Sequence, residues 1–162
     1  LYDLRTDVSD EQDLVSTIDE FLGRVAARSG VTTTFDHRAI DRLPRHQESE
    51  VWRIAQEAIV NAERHARAST ITVSWESDED GSELVVADDG VGLVGTPASG
   101  GAVAPGARPS YGLTGMHERA DALGAELRVD QLDPSGTVVR LCMRDRRTHG
   151  SRSDGKTGAG SR

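Results

Sequence analysis

The chain has 162 residues, of which 36% are hydrophobic, 28% charged and 4% aromatic, a length and composition that favour one compact domain with a core of Val, Leu, Ile and Ala. Its 19 basic and 27 acidic residues leave a net charge of −8, the wrong sign for a nucleic-acid binder. The single cysteine, Cys142, excludes a disulfide framework and a Cys-rich zinc site, and no apolar run approaches the roughly 20 residues of a membrane span. With no signal peptide at the start, the expectation is a cytoplasmic domain without membrane contact of its own.

The opening residues, LYDLRTDVSD, begin in mid-pattern without a cap or a methionine and read as part of something longer. Residues 11–29 place Leu14, Ile18, Leu22 and Val25 at helical spacing, and Ser29-Gly30 supplies a stop. Val31–Phe35 is β-prone, and a helix is predicted from about Gln47 to Ala66. Strands follow at Thr70–Trp75 and Glu83–Ala87, separated by an acidic turn over 76–81. The segment Leu93–Ser110 is rich in Gly, Pro and Ala and is long for a connection, which marks it as a lid or an insert. A short helix, Leu113–Leu123, and strands at Glu126–Gln131 and Thr137–Met143 close the body. The last residues, from about 145 to 162, are polar and Gly/Ser-rich, unable to offset the entropy of ordering, and are expected to form a disordered tail. Strands joined by short turns pair antiparallel, so the predicted fold is an α/β two-layer sandwich, a mixed and mostly antiparallel sheet with helices on one face.

Three stretches carry residues suited to chemistry. On the helix around Gln56–His65, the residues Val51, Ile54, Ala55, Ala58, Ile59 and Ala62 form an apolar stripe. Glu57, Asn61, Arg64 and His65 form a second stripe, roughly 105° away at about 100° per residue. That angle puts a carboxylate, an amide and two bases on the helix flank, where they border a cleft and can meet a metal ion and phosphates, or simply form a polar surface. The second stretch, Val85 to Leu93, is an apolar strand that ends in Asp88-Asp89 and then in Gly90 and Gly92, which let a ligand approach the backbone or merely make a turn. The third, Ser110 to Met116, sits where a loop enters a helix, a place with free N–H groups for anions. The phosphate loop G-x-x-x-x-G-K-[ST] is absent, as is a G-x-G-x-x-G after a first strand, which excludes ordinary P-loop and Rossmann nucleotide binding.

In this order the three stretches resemble the ATP-binding catalytic domain of sensor histidine kinases, a branch of the GHKL (HATPase_c) superfamily. QEAIVNAERHARA resembles its N box, DDGVGL its G1 box, and YGLTGMHERADALGAEL its G2 box with the helix after it; Gly136-Thr137 resembles the Gly-Thr near its last strand. The wording of the first and third boxes points to the subfamily that partners LuxR-type response regulators. The resemblance spans about residues 31–143. It implies that Asn61 coordinates Mg²⁺ bridging the ATP phosphates and that Glu57 lines the same pocket, behind the ligands or as a water-positioning base. It implies that Arg64 and His65 approach the phosphates and that Asp88 accepts a hydrogen bond from the adenine amino group. Gly90 and Gly92 would shape the adenine pocket, Gly112, Leu113 and Gly115 would offer backbone N–H groups to the phosphates, and Thr137 would contact adenine directly or through water. Ser110 stands where the third box usually opens on glycine.

The domain organisation that follows is the end of a dimerisation helix or linker at 1–30, the ATP-binding domain at 31–144 and the tail. No histidine precedes His37, so the phosphoaccepting histidine would lie on a separate dimerisation domain upstream, and this fragment would bind ATP and Mg²⁺ without phosphorylating itself. Two alternatives share the fold: an anti-sigma-type serine kinase or nucleotide-dependent partner switch, and a gyrase-like ATPase, which would need a transducer domain downstream.

Overall fold

Helix α1 (Leu14–Ser29) begins where an aspartate caps it. Asp13 Oδ1 accepts the Ser16 N–H at 2.8 Å, which also pulls the Asp13 carboxyl below its usual range. At the other end Gly30 adopts φ +73° and donates its N–H to the Ala26 carbonyl, the stop that Ser29-Gly30 predicted. The structure, a computed structural model, describes residues 12–40, 42–64, 66–92 and 111–144. The expected lid at 93–110, the tail at 145–162, the first eleven residues and His65 lie outside the described residues.

Strand β1 (Thr32–Ala39) runs four residues past the predicted end at Phe35. Its exposed second half shows no alternation to read, but it pairs residue by residue with β2 (Thr70–Asp78), and ladder hydrogen bonds do not depend on side-chain pattern. Helix α2 (Arg45–Arg64) crosses between these two strands, which is why they are parallel. β2 and β3 (Gly81–Asp88) form a hairpin whose turn is only Glu79-Asp80, because Asp78 Oδ1 accepts the N–H groups of Asp80 and Gly81 and shortens the predicted acidic loop. Helix α3 (Tyr111–Leu123), β4 (Glu126–Gln131) and β5 (Thr137–Arg144) complete the fold. The sheet order is β1-β2-β3-β5-β4, antiparallel except for β1 with β2: the mixed, mostly antiparallel sheet expected of the sequence.

Period-two alternation sends Ile71, Val73 and Trp75 of β2, Leu84 and Val86 of β3, and Val139 and Leu141 of β5 to one face. There they form one cluster with the apolar stripes of all three helices. The predicted α2 stripe is buried throughout, and Trp52 joins it at 1% exposure. The Leu14–Val25 stripe of α1 belongs to the same cluster, and Phe21 sets its ring edge-on to Trp52 at 5.2 Å and 81°. Leu14–Ser29 thus packs into the same core as the sheet and the other two helices. Arg28 of α1 reinforces that contact through two hydrogen bonds to Glu63 of α2, at 2.9 and 2.7 Å. Cys142, whose place among apolar neighbours in its strand predicts a core position, does not take one. Its neighbours Leu141 and Val139 face the core, so Cys142 faces the opposite side, half-buried, with Sγ 3.3 Å from Glu83 Oε1. In the run Val138-Val139 both parities are apolar, and sequence alone does not say which one points inward.

Candidate functional site

The inward column of β3 reads Leu84, Val86, Asp88. The third place, which the alternation reserves for an apolar side chain, holds a carboxylate that is only 8% exposed. Burial pushes the Asp88 carboxyl above the usual aspartate value, and neighbouring Asp89 adds to the rise. Hydrogen bonds oppose this: Asp88 Oδ1 accepts the Gly90 N–H at 2.8 Å, and the backbone N–H and hydroxyl of Thr137 also donate to the carboxylate. Thr137 stands directly across the β3–β5 ladder from Asp88, which is how two residues 49 positions apart in sequence come together. A buried acceptor at the open end of a sheet is suited to a ligand that brings a donor.

Past Asp88 the chain turns across the end of α2. A Cβ on Gly90 would collide with the Ala66 carbonyl, so only glycine lets the backbone pass this close. Val91 donates its N–H to that same carbonyl at 2.7 Å, and the Ala66 N–H goes to the Asn61 carbonyl at 3.3 Å. The end of β3 is thereby tied to the last turn of α2, which carries Asn61. Gly92 packs against the Gln131 side chain.

On α2, Glu57 and Asn61 are half-buried and Arg64 is exposed, in keeping with a stripe on the helix flank. Glu57 lies against the start of α3: a Cβ on Gly112 would run into the Glu57 carboxylate. The absence of a side chain at Gly112 therefore lets the first turn of α3 reach α2. The first four N–H groups of a helix have no partner within it, here those of Tyr111, Gly112, Leu113 and Thr114, while Gly115 begins the next turn with open space around its Cα. The α3 N-terminus and Glu57 thus meet at one end, and Asp88, Thr137, Gly90 and the last turn of α2 at another. His65 lies outside the described residues.

Asp89 is a residue whose role sequence reasoning missed, because Asp-Gly reads as a turn. Its side chain is exposed and fully engaged. Oδ1 accepts the N–H groups of Ser69 at 2.8 Å and Thr70 at 2.9 Å, and Oδ2 accepts the Ser69 hydroxyl at 2.7 Å. These bonds, the Ser69 hydroxyl's first, hold its carboxyl down at about 2. Because the folded value lies below the ordinary 3.8, the stability this group contributes is complete above 3.8 and is lost as the pH falls through about 2. Acid unfolding of Asp89→Asn, followed by circular dichroism, should therefore be less steep than that of the parent chain across this window. Equal slopes would contradict the assignment.

A hollow lined by Glu76, Asp78, Asp80, Gly81, Ser82 and Glu83 lies at the hairpin end of the sheet, opposite to Asp88. Its carboxylates repel phosphates, and it takes no part in the site.

Comparison with known proteins gives the family and the fold. Residues 8–143 match the family described as the histidine kinase-like ATPase domain. Among curated relatives, the chain is 30% identical over 140 residues to the signal transduction histidine-protein kinase/phosphatase DegS of Brevibacillus brevis, covering 86% of this chain and 34% of that protein. It is 34% identical over 145 residues to UhpB of Salmonella typhimurium, covering 87% and 27%, and 32% identical over 136 residues to the nitrate/nitrite sensor protein NarQ of Escherichia coli, covering 83% and 23%. The chain therefore spans about a third or less of the length of these relatives. Among solved structures, the histidine kinase domain of a blue-light activated kinase from Erythrobacter litoralis superposes with a TM-score of 0.63 at 20% identity, covering 82% of this chain and 65% of that one. The mycobacterial sensor histidine kinase MprB superposes at 0.57 and 21%, covering 82% and 94%. With the profile matched from α1 to β5 and the fold shared, the chain belongs to the histidine kinase-like ATPase domain family.

Proposed function

We propose that this chain is the ATP-binding kinase domain of a two-component sensor histidine kinase, supplying the γ-phosphoryl group of ATP to a histidine on a dimerisation domain of the same protein. The observation that carries the reading is Asp88: a buried carboxylate on the core face of β3, held by Gly90 and Thr137, with acceptor capacity suited to the adenine amino group. Gly90, Gly92 and Thr137 shape the adenine end. Gly112 and Leu113 offer N–H groups at the start of α3, with Gly115 one turn further on, and the phosphate-side role is assigned to Arg64 and, on the resemblance alone, to His65. No His, Cys, Asp or Glu trio among the described residues forms a metal cage. The Asn61 amide oxygen, half-buried one turn from Glu57, fits Mg²⁺, which takes oxygen ligands and fills most positions with water and substrate phosphates. Bound there, the ion would neutralise phosphate charge, while Asn61 orients it and Glu57 positions a water or the neighbouring helix.

A LuxR-type response regulator is the proposed indirect partner, on the wording of the N and G2 boxes and the likeness to DegS, UhpB and NarQ. The ATP-binding unit is proposed to run to residue 144, with the polar tail beyond it and the dimerisation domain upstream. Among the described residues no helix is long and apolar enough to cross a membrane; the proposed site of action is the cytoplasmic side.

Calorimetry with ATP, with and without Mg²⁺, tests the reading. The parent chain should bind ATP more tightly with Mg²⁺. Asn61→Ala should lose most of that Mg²⁺ dependence while still binding through adenine. Metal-independent binding by the parent would remove Asn61 from the metal role, and no ATP binding at all would overturn the proposed function.

A further inference from the structure

The β2–β3 ladder ends with Ile71 opposite Asp88. The next pair would be Thr70 with Asp89, and it is only half made by main chain, since the Asp89 N–H reaches the Thr70 carbonyl at 3.4 Å. The other half is supplied by a side chain: Asp89 Oδ1 takes the Thr70 N–H and, one residue back, the Ser69 N–H, while Oδ2 takes the Ser69 hydroxyl. A carboxylate thus stands in for the missing backbone acceptor. This frees the backbone after Asp89 to leave the strand at Gly90 and cross the end of α2, where Val91 bonds the Ala66 carbonyl. Ala66 and Ser69 bracket the short connection between α2 and β2. The connection is therefore held at both ends from the G1 segment, by Val91 at Ala66 and by Asp89 at Ser69 and Thr70.

We propose that Asp89 is a positioning residue of the nucleotide site: its clasp on Ser69 and Thr70 sets the α2–β2 connection, and through Ala66 the last turn of α2 with Asn61, in fixed relation to Asp88. The proposal rests on the reading of Asp88 and Asn61 as the two ends of one ATP site. Asp89 itself points away from the core face, and its two oxygens are taken up by Ser69 and Thr70; it acts through the backbone it holds. Geometry rather than charge is what the site needs from it. An asparagine keeps one oxygen for both N–H groups, and its amide can donate to the Ser69 oxygen in place of accepting from it.

The test is calorimetric titration of the 162-residue chain with MgATP, alongside amide hydrogen exchange of the unliganded chain, for the parent, Asp89→Ala, Asp89→Asn and Ser69→Ala. Asp89→Ala should stay folded and bind MgATP about tenfold more weakly, with faster exchange at Ala66, Ser69, Thr70 and Val91 and unchanged exchange in β4 and β5. Asp89→Asn should restore affinity to within about threefold of the parent, a rescue that a charge-based role does not allow. Should Asp89→Ala not fold, Ser69→Ala carries the test, with one clasp bond removed and about a threefold loss expected. Parent-like affinity in Asp89→Ala, or equal losses in Asp89→Ala and Asp89→Asn, overturns the positioning role while leaving the ATP reading standing. A parent chain that does not bind MgATP overturns both.

Discussion

Replacing Asp88 by asparagine should weaken MgATP binding by more than about tenfold, the cost of losing a hydrogen bond to a charged acceptor in a buried site. The carboxylate has two oxygens and no proton to give. It accepts from Gly90 and Thr137 and still has acceptor capacity for an amino group. Asparagine has one oxygen. If that oxygen serves Gly90, the amide nitrogen faces the adenine amino group, donor against donor. The same logic fixes a pH dependence. Because burial raises the Asp88 pKa above 3.8, affinity should begin to fall, as the pH is lowered, at a higher pH than an ordinary aspartate would dictate. Calorimetry that finds parent-like affinity in Asp88→Asn would remove this residue from the adenine site, and with it the observation on which the functional reading stands.

The largest loss of stability should come from Trp52→Ala. Trp52 heads the fully buried side chains of the fold and is the point where α1 meets α2, edge-on to Phe21. Truncating a buried tryptophan costs about 3–5 kcal/mol through lost transfer energy and the cavity left behind. Against a total of about 5–15 kcal/mol for a domain of this kind, that is a large share. Thermal unfolding followed by circular dichroism should show a fall of about 6 °C or more in Tm, since 1 kcal/mol is worth about 2–8 °C across this size range. A fall of less than about 3 °C would mean that α1 and α2 do not depend on this contact. Trp52→Phe, which keeps an aromatic face toward Phe21, should lose much less.

Much of the architecture is legible in the residues because it is periodic. The stripes Leu14–Val25 and Val51–Ala62 repeat at 3.6, and the buried positions of β2 and β3 repeat at 2, so helix, strand and inward face follow from local spacing. Where the period fails, so does the reading. The second half of β1 has no alternation and is a strand only because β2 lies beside it. Cys142 lies next to apolar residues of both parities and faces outward only because Leu141 faces in. The apolar stripe of α1 is legible as a stripe, but what covers it is decided by packing: it lies in one cluster with the sheet and the other two helices.

The candidate site divides in the same way. Asp88, Glu57 and Asn61 can be named from sequence because the chemistry of a residue type and its place on an element are local properties. The partners of those residues are not local. Thr137 reaches Asp88 through a ladder register, Gly112 meets Glu57 through the approach of two helices, and Asp89 holds Ser69 and Thr70 across a turn of the chain. A linear string carries composition, spacing and the type of each donor and acceptor. Which donor faces which acceptor, and which carboxylate is buried and which clasps a loop, is decided only when distant segments pack, because burial and hydrogen-bond distance depend on position in space and not on separation along the chain.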